Sequence, residues 1–403
     1  MKLILTSYWI VMFSLFTTHA LAADLPDPAP LVEGNTAFAL QMYGQLRSGE
    51  GNLVFSPYSI SSALAMVCAG ARGETARQMV LALHFDKCLM DVDPLFRELT
   101  GALTVPGGNE LEIANSLWPQ QGYPFRREYL SLLKKDYQTT VTPQNYTQDP
   151  GAARNAINQW VDDKTRHKIS EIIGPGALDT STRLVLVNAM YFNGKWAAPF
   201  PAEATHSDNF QTKPGRTITA SFMSKNGHFS YGENDQLQIV SLPYAGGKME
   251  LTILLPRNRD GISELETNLS PVNLAAWIAS QARHPVDVTL PKFKVAAGLE
   301  LNKILGAMGM KAPFDKAEAD FSGMDGRTHW LYLSAVLHKA YIDVNEKGTE
   351  AAAVTAGTIT PLAMSAAEES KEFRADHPFL FLLRDSSTGS ILFIGRVFEP
   401  KTE

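Results

Sequence analysis

The spacing of apolar residues divides the chain into helices and strands that alternate along its length. Phe38, Met42 and Leu46 recur every fourth residue and predict an amphipathic helix. Ser56-Pro57 opens a segment that is apolar nearly all round (Ile60, Ala63, Leu64, Met66 and Val67), the pattern of a buried helix. Asp149 before Pro150 reads as an N-cap followed by proline at the first helical position. Ile157, Trp160 and Val161 give that helix an apolar face, and it is expected to run to about Lys168. The strands are of two kinds. Residues 184–192 are apolar apart from Asn188, which predicts a strand covered on both faces, and residues 249–255 are mostly apolar too. Val286, Val288 and Leu290 alternate with polar residues, as do Ala340, Ile342 and Val344, so these strands are half exposed. Residues 378–383 and 391–397 flank the turn-rich Asp385-Ser-Ser-Thr-Gly389 and predict a C-terminal hairpin. No Gly/Ser or proline-rich linker divides residues 23–403, which are therefore read as a single domain of mixed α and β structure, an α+β fold.

Composition narrows the class. With 36 Lys plus Arg against 42 Asp plus Glu, the net charge of -6 argues against a basic nucleic-acid binder. A chain 45% hydrophobic and 19% charged is not intrinsically disordered. Two cysteines in 403 residues do not make a disulfide scaffold. Cys68 lies in an apolar run, and either a bridge to Cys88 or a buried free thiol fits. Residues 1–22 stand apart. After Lys2 no charge occurs until Asp24, Trp9-Ile-Val-Met-Phe13 is the apolar centre, and Ala20-Leu21-Ala22 offers a small-x-small cleavage site. This is the layout of a secretory signal peptide, so the mature protein is expected outside the cell, or in the periplasm of a bacterium, with no membrane association after cleavage.

Local enzyme signatures are missing. There is no GxxxxGK[ST], HExxH or GxSxG, and no GxGxxG after a strand. The nine histidines form no ligand-spaced cluster, so neither catalytic residues, metal nor cofactor is expected. One segment, residues 348–365, is physically unusual. It holds few large apolar residues, and at strand period Thr349, Ala351, Ala353 and Thr355 share one face while Glu350 points the other way. No proline occurs before Pro361. Such a segment can be an exposed loop and can also enter a sheet as a central strand. The same residues suit a solvated linker or a frayed helix.

Motifs around that segment decide between these readings. Asn52-Leu-Val-Phe-Ser-Pro-Tyr-Ser-Ile-Ser-Ser62, Gly70-Ala-Arg-Gly-Glu-Thr75, Val187-Asn188, Tyr191-Phe-Asn-Gly-Lys-Trp196, Leu290-Pro-Lys-Phe293, Ala319-Asp-Phe-Ser-Gly323, His338-Lys339, Asn345-Glu-Lys-Gly-Thr-Glu-Ala-Ala-Ala353, Asp376-His-Pro-Phe-Leu-Phe381 and Phe393-Ile-Gly-Arg396 follow one another in the order found in serpins. Over residues 31–400 the chain closely resembles that family of protease inhibitors.

The resemblance implies three β-sheets, about nine helices and a reactive-centre loop near residues 346–372. It also implies suicide inhibition, in which a protease cuts the loop and is trapped as the loop inserts into the sheet. The hinge corresponds to Glu346, Gly348, Thr349, Glu350, Ala351, Ala352 and Ala353. Counting sixteen residues past Glu346 puts the scissile bond at Leu362-Ala363; Ala363-Met364 and Met364-Ser365 are the alternatives. Ser56, Ser59, Asn188 and His338 correspond to a polar shutter under the sheet, and Trp196, Lys292 and Glu346 to the breach where the loop enters. Taken alone, Lys292 and Glu346 read as a surface ion pair of at most about 1 kcal/mol. The implied partner is a serine protease, chymotrypsin-like or elastase-like because Leu362 precedes the cut. The protein is read as a monomer that is not itself an enzyme. Two alternatives remain: a non-inhibitory carrier or chaperone, opposed by the small hinge residues, and a cross-class inhibitor of cysteine proteases.

Overall fold

The computed structural model describes residues 27–49, 51–87, 91–103, 109–139, 141–349 and 369–401. The signal-peptide segment, Cys88, Glu350, Ala351, Ala352, Ala353, Leu362 and Ala363 lie outside the described residues.

Among the described residues are ten α-helices: α1 (Ala29–Leu46), α2 (Pro57–Gly70), α3 (Gly73–Ala82), α4 (Val92–Ala102), α5 (Arg127–Asp136), α6 (Pro150–Lys164), α7 (Ile262–Asn268), α8 (Pro271–Ala279), α9 (Asn302–Ala307) and α10 (Ser322–Asp325). The strands are β1 (Leu53–Phe55), β2 (Glu110–Pro119), β3 (Leu184–Lys195), β4 (His206–Lys213), β5 (Arg216–Glu233), β6 (Leu237–Pro243), β7 (Met249–Pro256), β8 (Ala282–Pro291), β9 (Phe293–Glu300), β10 (Ala335–Asn345), β11 (Gly348–Thr349), β12 (Lys371–Arg374), β13 (Phe379–Asp385) and β14 (Ile391–Val397). No helix among the described residues is long and apolar enough to cross a membrane.

The expected local signals operate. Ser56 caps α2 by accepting from the Ser59 N–H, with Pro57 next in line. Asp149 caps α6 through the Ala152 N–H at 2.8 Å. That helix stops at Lys164, four residues before the expected end, because Arg166 and His167 adopt left-handed φ values of 51° and 61°. The hairpin β13–β14 turns where Asp385 accepts from the Ser387 and Thr388 N–H groups.

The strands form two hydrogen-bonded networks. One holds nine strands in the order β1-β14-β13-β7-β6-β5-β8-β12, with β4 attached to β5. The other is a five-stranded sheet ordered β2-β3-β11-β10-β9. The three sheets implied by resemblance become two networks because β5, 18 residues long, pairs in succession with β4 (Arg216 to Phe222), β8 (Phe222 to Tyr231) and β6 (Ser230 to Glu233).

The five-stranded sheet lies between two apolar layers. Leu184, Leu186, Met190 and Phe192 of β3, with Val336, Ala340, Ile342 and Val344 of β10, join the main core that includes Ile60, Ala63 and Leu64 of α2. Val185, Val187 and Ala189, with Ala335 and Leu337, pack on the other side against Ala153, Ile157 and Val161 of α6. Burial on both faces explains why residues 184–192 read as a continuous apolar run.

Candidate functional site

At its lower end the five-stranded sheet is closed: β3 and β10 pair in parallel, from Val185↔Ala335 to Tyr191↔Tyr341. At its upper end the two strands part, and β11 sits between them. Thr349 is opposite Gly194 of β3 and Val344 of β10, antiparallel to both. The stagger between β3 and β10 is 150 residues across the closed ladder (335 against 185) and also across β11 (344 against 194). A strand continuing from β11 therefore meets both neighbours without a register slip. Gly348 and Thr349 are both buried, and they are the second and third of the hinge residues inferred from the motifs.

The hinge is seated by close backbone approach. Gly348 has φ 144°, and a Cβ there would lie 2.0 Å from the Gly194 carbonyl oxygen. A Cβ on Gly194 would strike the rings of Phe192 and Tyr244. Only glycine fits at either position. Thr349 is fully buried, and its Oγ1 lies 2.6 Å from the Tyr244 hydroxyl.

The residues expected at the breach surround this point. Trp196 stacks on Tyr244 with ring centroids 4.4 Å apart, and its Nε1–H donates to the Asn345 carbonyl at 2.9 Å. The Trp196 N–H donates to the Lys347 carbonyl and the Phe200 N–H to the Glu346 carbonyl. Glu346 Oε1 accepts from Lys292 Nζ at 3.0 Å and from Thr205 Oγ1 at 2.9 Å. Burial raises the carboxyl's pKa, yet its own N–H, Lys292 and Thr205 together hold it below the usual range. The pair is not the surface contact expected from the residues alone: the two side chains are only 29% and 17% exposed.

The residues expected to form the shutter lie lower, beneath the closed part of the sheet. His338 is fully buried and neutral; desolvation pushes its pKa down to about 3. Its Nε2 accepts the Ser56 N–H at 3.0 Å, so the ring proton is on Nδ1, which donates to Asn188 Oδ1 at 2.5 Å. Asn188 Nδ2 donates to the Ser59 carbonyl at 3.1 Å, to Ser59 Oγ and to Asn115 Oδ1. Ser56 Oγ meets Met190 Sδ at 2.7 Å. The registers Asn115↔Asn188 and Asn188↔His338 make one polar row across three strands. All four expected shutter residues are thus brought together.

Three residues of these clusters escaped sequence reasoning: Asn115, Thr205 and Tyr244. Asn115 carried a faint signal, a lone amide within the apolar part of a strand. Thr205 and Tyr244 carried none. Half-buried Asp162 and exposed Asp163 and His167, at and just past the end of α6, bring their ligand atoms within 4.8 Å of one another, an approach that the Asp162–His167 bond accounts for.

A family model described as Serpin (serine protease inhibitor) matches residues 33–400. Leukocyte elastase inhibitor A of Mus musculus is 38% identical over 381 residues, covering 92% of this chain and 99% of that protein. Among solved structures, uncleaved ovalbumin superposes with a TM-score of 0.83 at 30% identity, covering 92% of this chain and all of the other. Serpin48 of the insect Tenebrio molitor gives the same TM-score and identity, covering 92% and 98% of the two chains.

Proposed function

The chain belongs to the serpin family, and on that premise we propose that it is a secreted suicide inhibitor of serine proteases. The reading rests above all on the seating of Gly348 and Thr349 between β3 and β10, the first two residues of a new central strand. The loop that follows is offered as substrate. The protease serine Oγ attacks the Leu362 carbonyl carbon, the bond to Ala363 breaks, and the nitrogen leaves with a proton as a new amino terminus. Leu362 stays esterified to the enzyme. The freed strand then continues β11, separating β3 from β10 and carrying the enzyme along the sheet.

Small core-facing residues support this step. Thr349 faces the main core, so alternation turns Ala351, Ala353 and Thr355 the same way, and none is large or charged. The similarity to a leukocyte elastase inhibitor and the leucine before the cut both favour chymotrypsin-like or elastase-like targets. In the same reading residues 1–22 are a signal peptide and the mature chain starts at Ala23, which N-terminal sequencing of the exported protein checks. Mixing the protein with chymotrypsin or pancreatic elastase should abolish protease activity and give an SDS-resistant band near the summed masses. Clean loop cleavage with full protease activity and no such band would refute the mechanism for these targets.

A further inference from the structure

Lys225 is held between two aromatic rings close to the hinge. It lies on β5, where residues 225, 227 and 229 share one face of the strand. Gly227 has no side chain, and the Phe229 ring leans back across it: a Cβ at Gly227 would lie 2.9 Å from two of the ring carbons. The ring centroid thereby comes to 5.7 Å from Lys225 Nζ, and that of Phe200 lies at 5.8 Å. Both distances are at the outer edge of a cation–aromatic contact, so the rings exclude water more than they bind charge. Nζ donates to the Ala198 carbonyl. Two residues on, the Phe200 N–H donates to the Glu346 carbonyl at 2.9 Å, so this short segment joins Lys225 to the hinge.

The pocket around Nζ lacks a counter-charge. Among the described residues Lys225 has no carboxylate partner, whereas Lys87, Lys292 and Lys371 are ion-paired at 3.0, 3.0 and 3.1 Å. The carboxylates of the adjoining strand and of the hinge are engaged elsewhere. Asp287 of β8 accepts from Asn226 at 2.5 Å, and Glu346 accepts from Lys292 and Thr205. Burial with no opposing charge disfavours the ammonium and lowers the pKa of Lys225 to about 8. The side chain is nevertheless only half-buried, so reagents reach it.

We propose that Lys225 is an acyl-acceptor lysine, modified by activated acyl donors (reactive esters and thioesters). The neutral Nζ attacks the acyl carbonyl carbon and forms a nitrogen–carbon bond. The bond to the leaving group breaks, the leaving group departs as its anion, and the surplus amine proton passes to solvent. The surroundings suit the product as well as the nucleophile. An amide keeps one N–H, which still donates to the Ala198 carbonyl. The acyl group lies against Phe200 and Phe229, and no carboxylate loses its cation. The same reaction at Lys292 would strip Glu346 of its partner. This site does not depend on what the loop inhibits.

The test treats the whole protein with less than one equivalent of N-hydroxysuccinimidyl acetate and follows each lysine by peptide mass spectrometry. At pH 7 about one-tenth of an amine of pKa 8 is neutral, against about one in three thousand at the ordinary 10.5. A less basic and half-buried amine gives back part of that advantage, so Lys225 should react at least about tenfold faster than Lys292 and Lys371. Its rate should level off above about pH 8, while theirs climb past about pH 10. Phe229→Leu should admit water and move the levelling upward in pH. Protein acetylated at Lys225 should melt no lower than untreated protein, whereas Lys225→Ala, which loses the bond to Ala198, should melt lower. Lys225 reacting no faster than Lys292 and Lys371, or with a rate that rises in step with theirs, would overturn the assignment. A lower melting temperature on acetylation would overturn the fit of the product. If Phe229→Leu does not fold, the wild-type rate profile decides alone.

Discussion

Thr349→Arg tests the insertion step most directly. Thr349 is fully buried, hydrogen-bonded to Tyr244 and hemmed in by the Trp196–Tyr244 stack. Arginine at this position must either bring its guanidinium into that apolar corner or keep the hinge out of the sheet. Burying an ion without a partner costs several kcal/mol even after the structure relaxes. About 3 kcal/mol in the insertion barrier slows insertion by roughly a hundredfold. Insertion competes with hydrolysis of the ester, so the balance tips toward release of active enzyme and a cut, spent inhibitor. Titration of chymotrypsin should then need well over about ten molecules of variant per enzyme, where wild type needs about one. A denaturing gel should show cleaved chain in place of the complex. Glu350→Arg is the matched control. Strand alternation turns residue 350 to the opposite face, level with the half-exposed Asn193 and Asp343, so that variant should still inhibit. Unchanged stoichiometry for Thr349→Arg, or equal damage from the two variants, would refute the register from which the insertion is argued.

Further expectations follow from the shutter. His338 is held neutral by burial, with a pKa of about 3 against an ordinary 6.5. The unfolded chain therefore takes up a proton below about pH 6.5 that the folded chain refuses, and stability should fall by about 1.4 kcal/mol per pH unit from there toward pH 3. Melting temperatures measured across that window should drop less steeply for His338→Gln; parallel profiles would show that His338 is not the titrating group. Continued from β11, residue 355 lands level with Asn188 and His338, six residues on from Thr349. Its hydroxyl would replace the bond those two side chains now make to each other. Loop cleavage should raise the melting temperature of wild type, and Thr355→Val should lose about 1–2 kcal/mol of that gain by leaving a buried polar group unpaired; an identical gain in both would contradict the landing site.

Much of the site was readable because its parts are local in the chain. Ser56 is a helix cap, Asn188 is the one polar interruption of the apolar run 184–192, and Gly348-Thr349 opens a run of small residues. What escaped depends on register. Asn115 joins the shutter only because β2 meets β3 with Asn115 opposite Asn188. Tyr244, just past β6, reaches Thr349 from 105 residues away. Thr205 meets Glu346 across 141 residues. No periodicity in a single segment carries such information. The early end of α6 was hidden for a different reason: Arg166 and His167 take left-handed conformations without glycine or asparagine to announce them. The joining of the two expected sheets through β5 likewise depends on how one long strand divides its partners.

The nine-stranded network determines what a broken chain is worth. A cut after Leu362 separates 41 residues, 363–403, from the rest. Those residues carry β12, which lies along β8; β13, which lies between β7 and β14; and β14, which holds β1. Arg396 adds a buried pair with Glu266 at 2.7 Å and bonds to the Arg47, Gly49 and Gly51 carbonyls. The severed piece is therefore a structural member of the body it was cut from, and hydrolysis yields two polypeptides but one particle. In the proposed mechanism a single peptide bond can act as a trigger because breaking it detaches nothing: it lengthens the reach of one end while the other stays woven into the molecule.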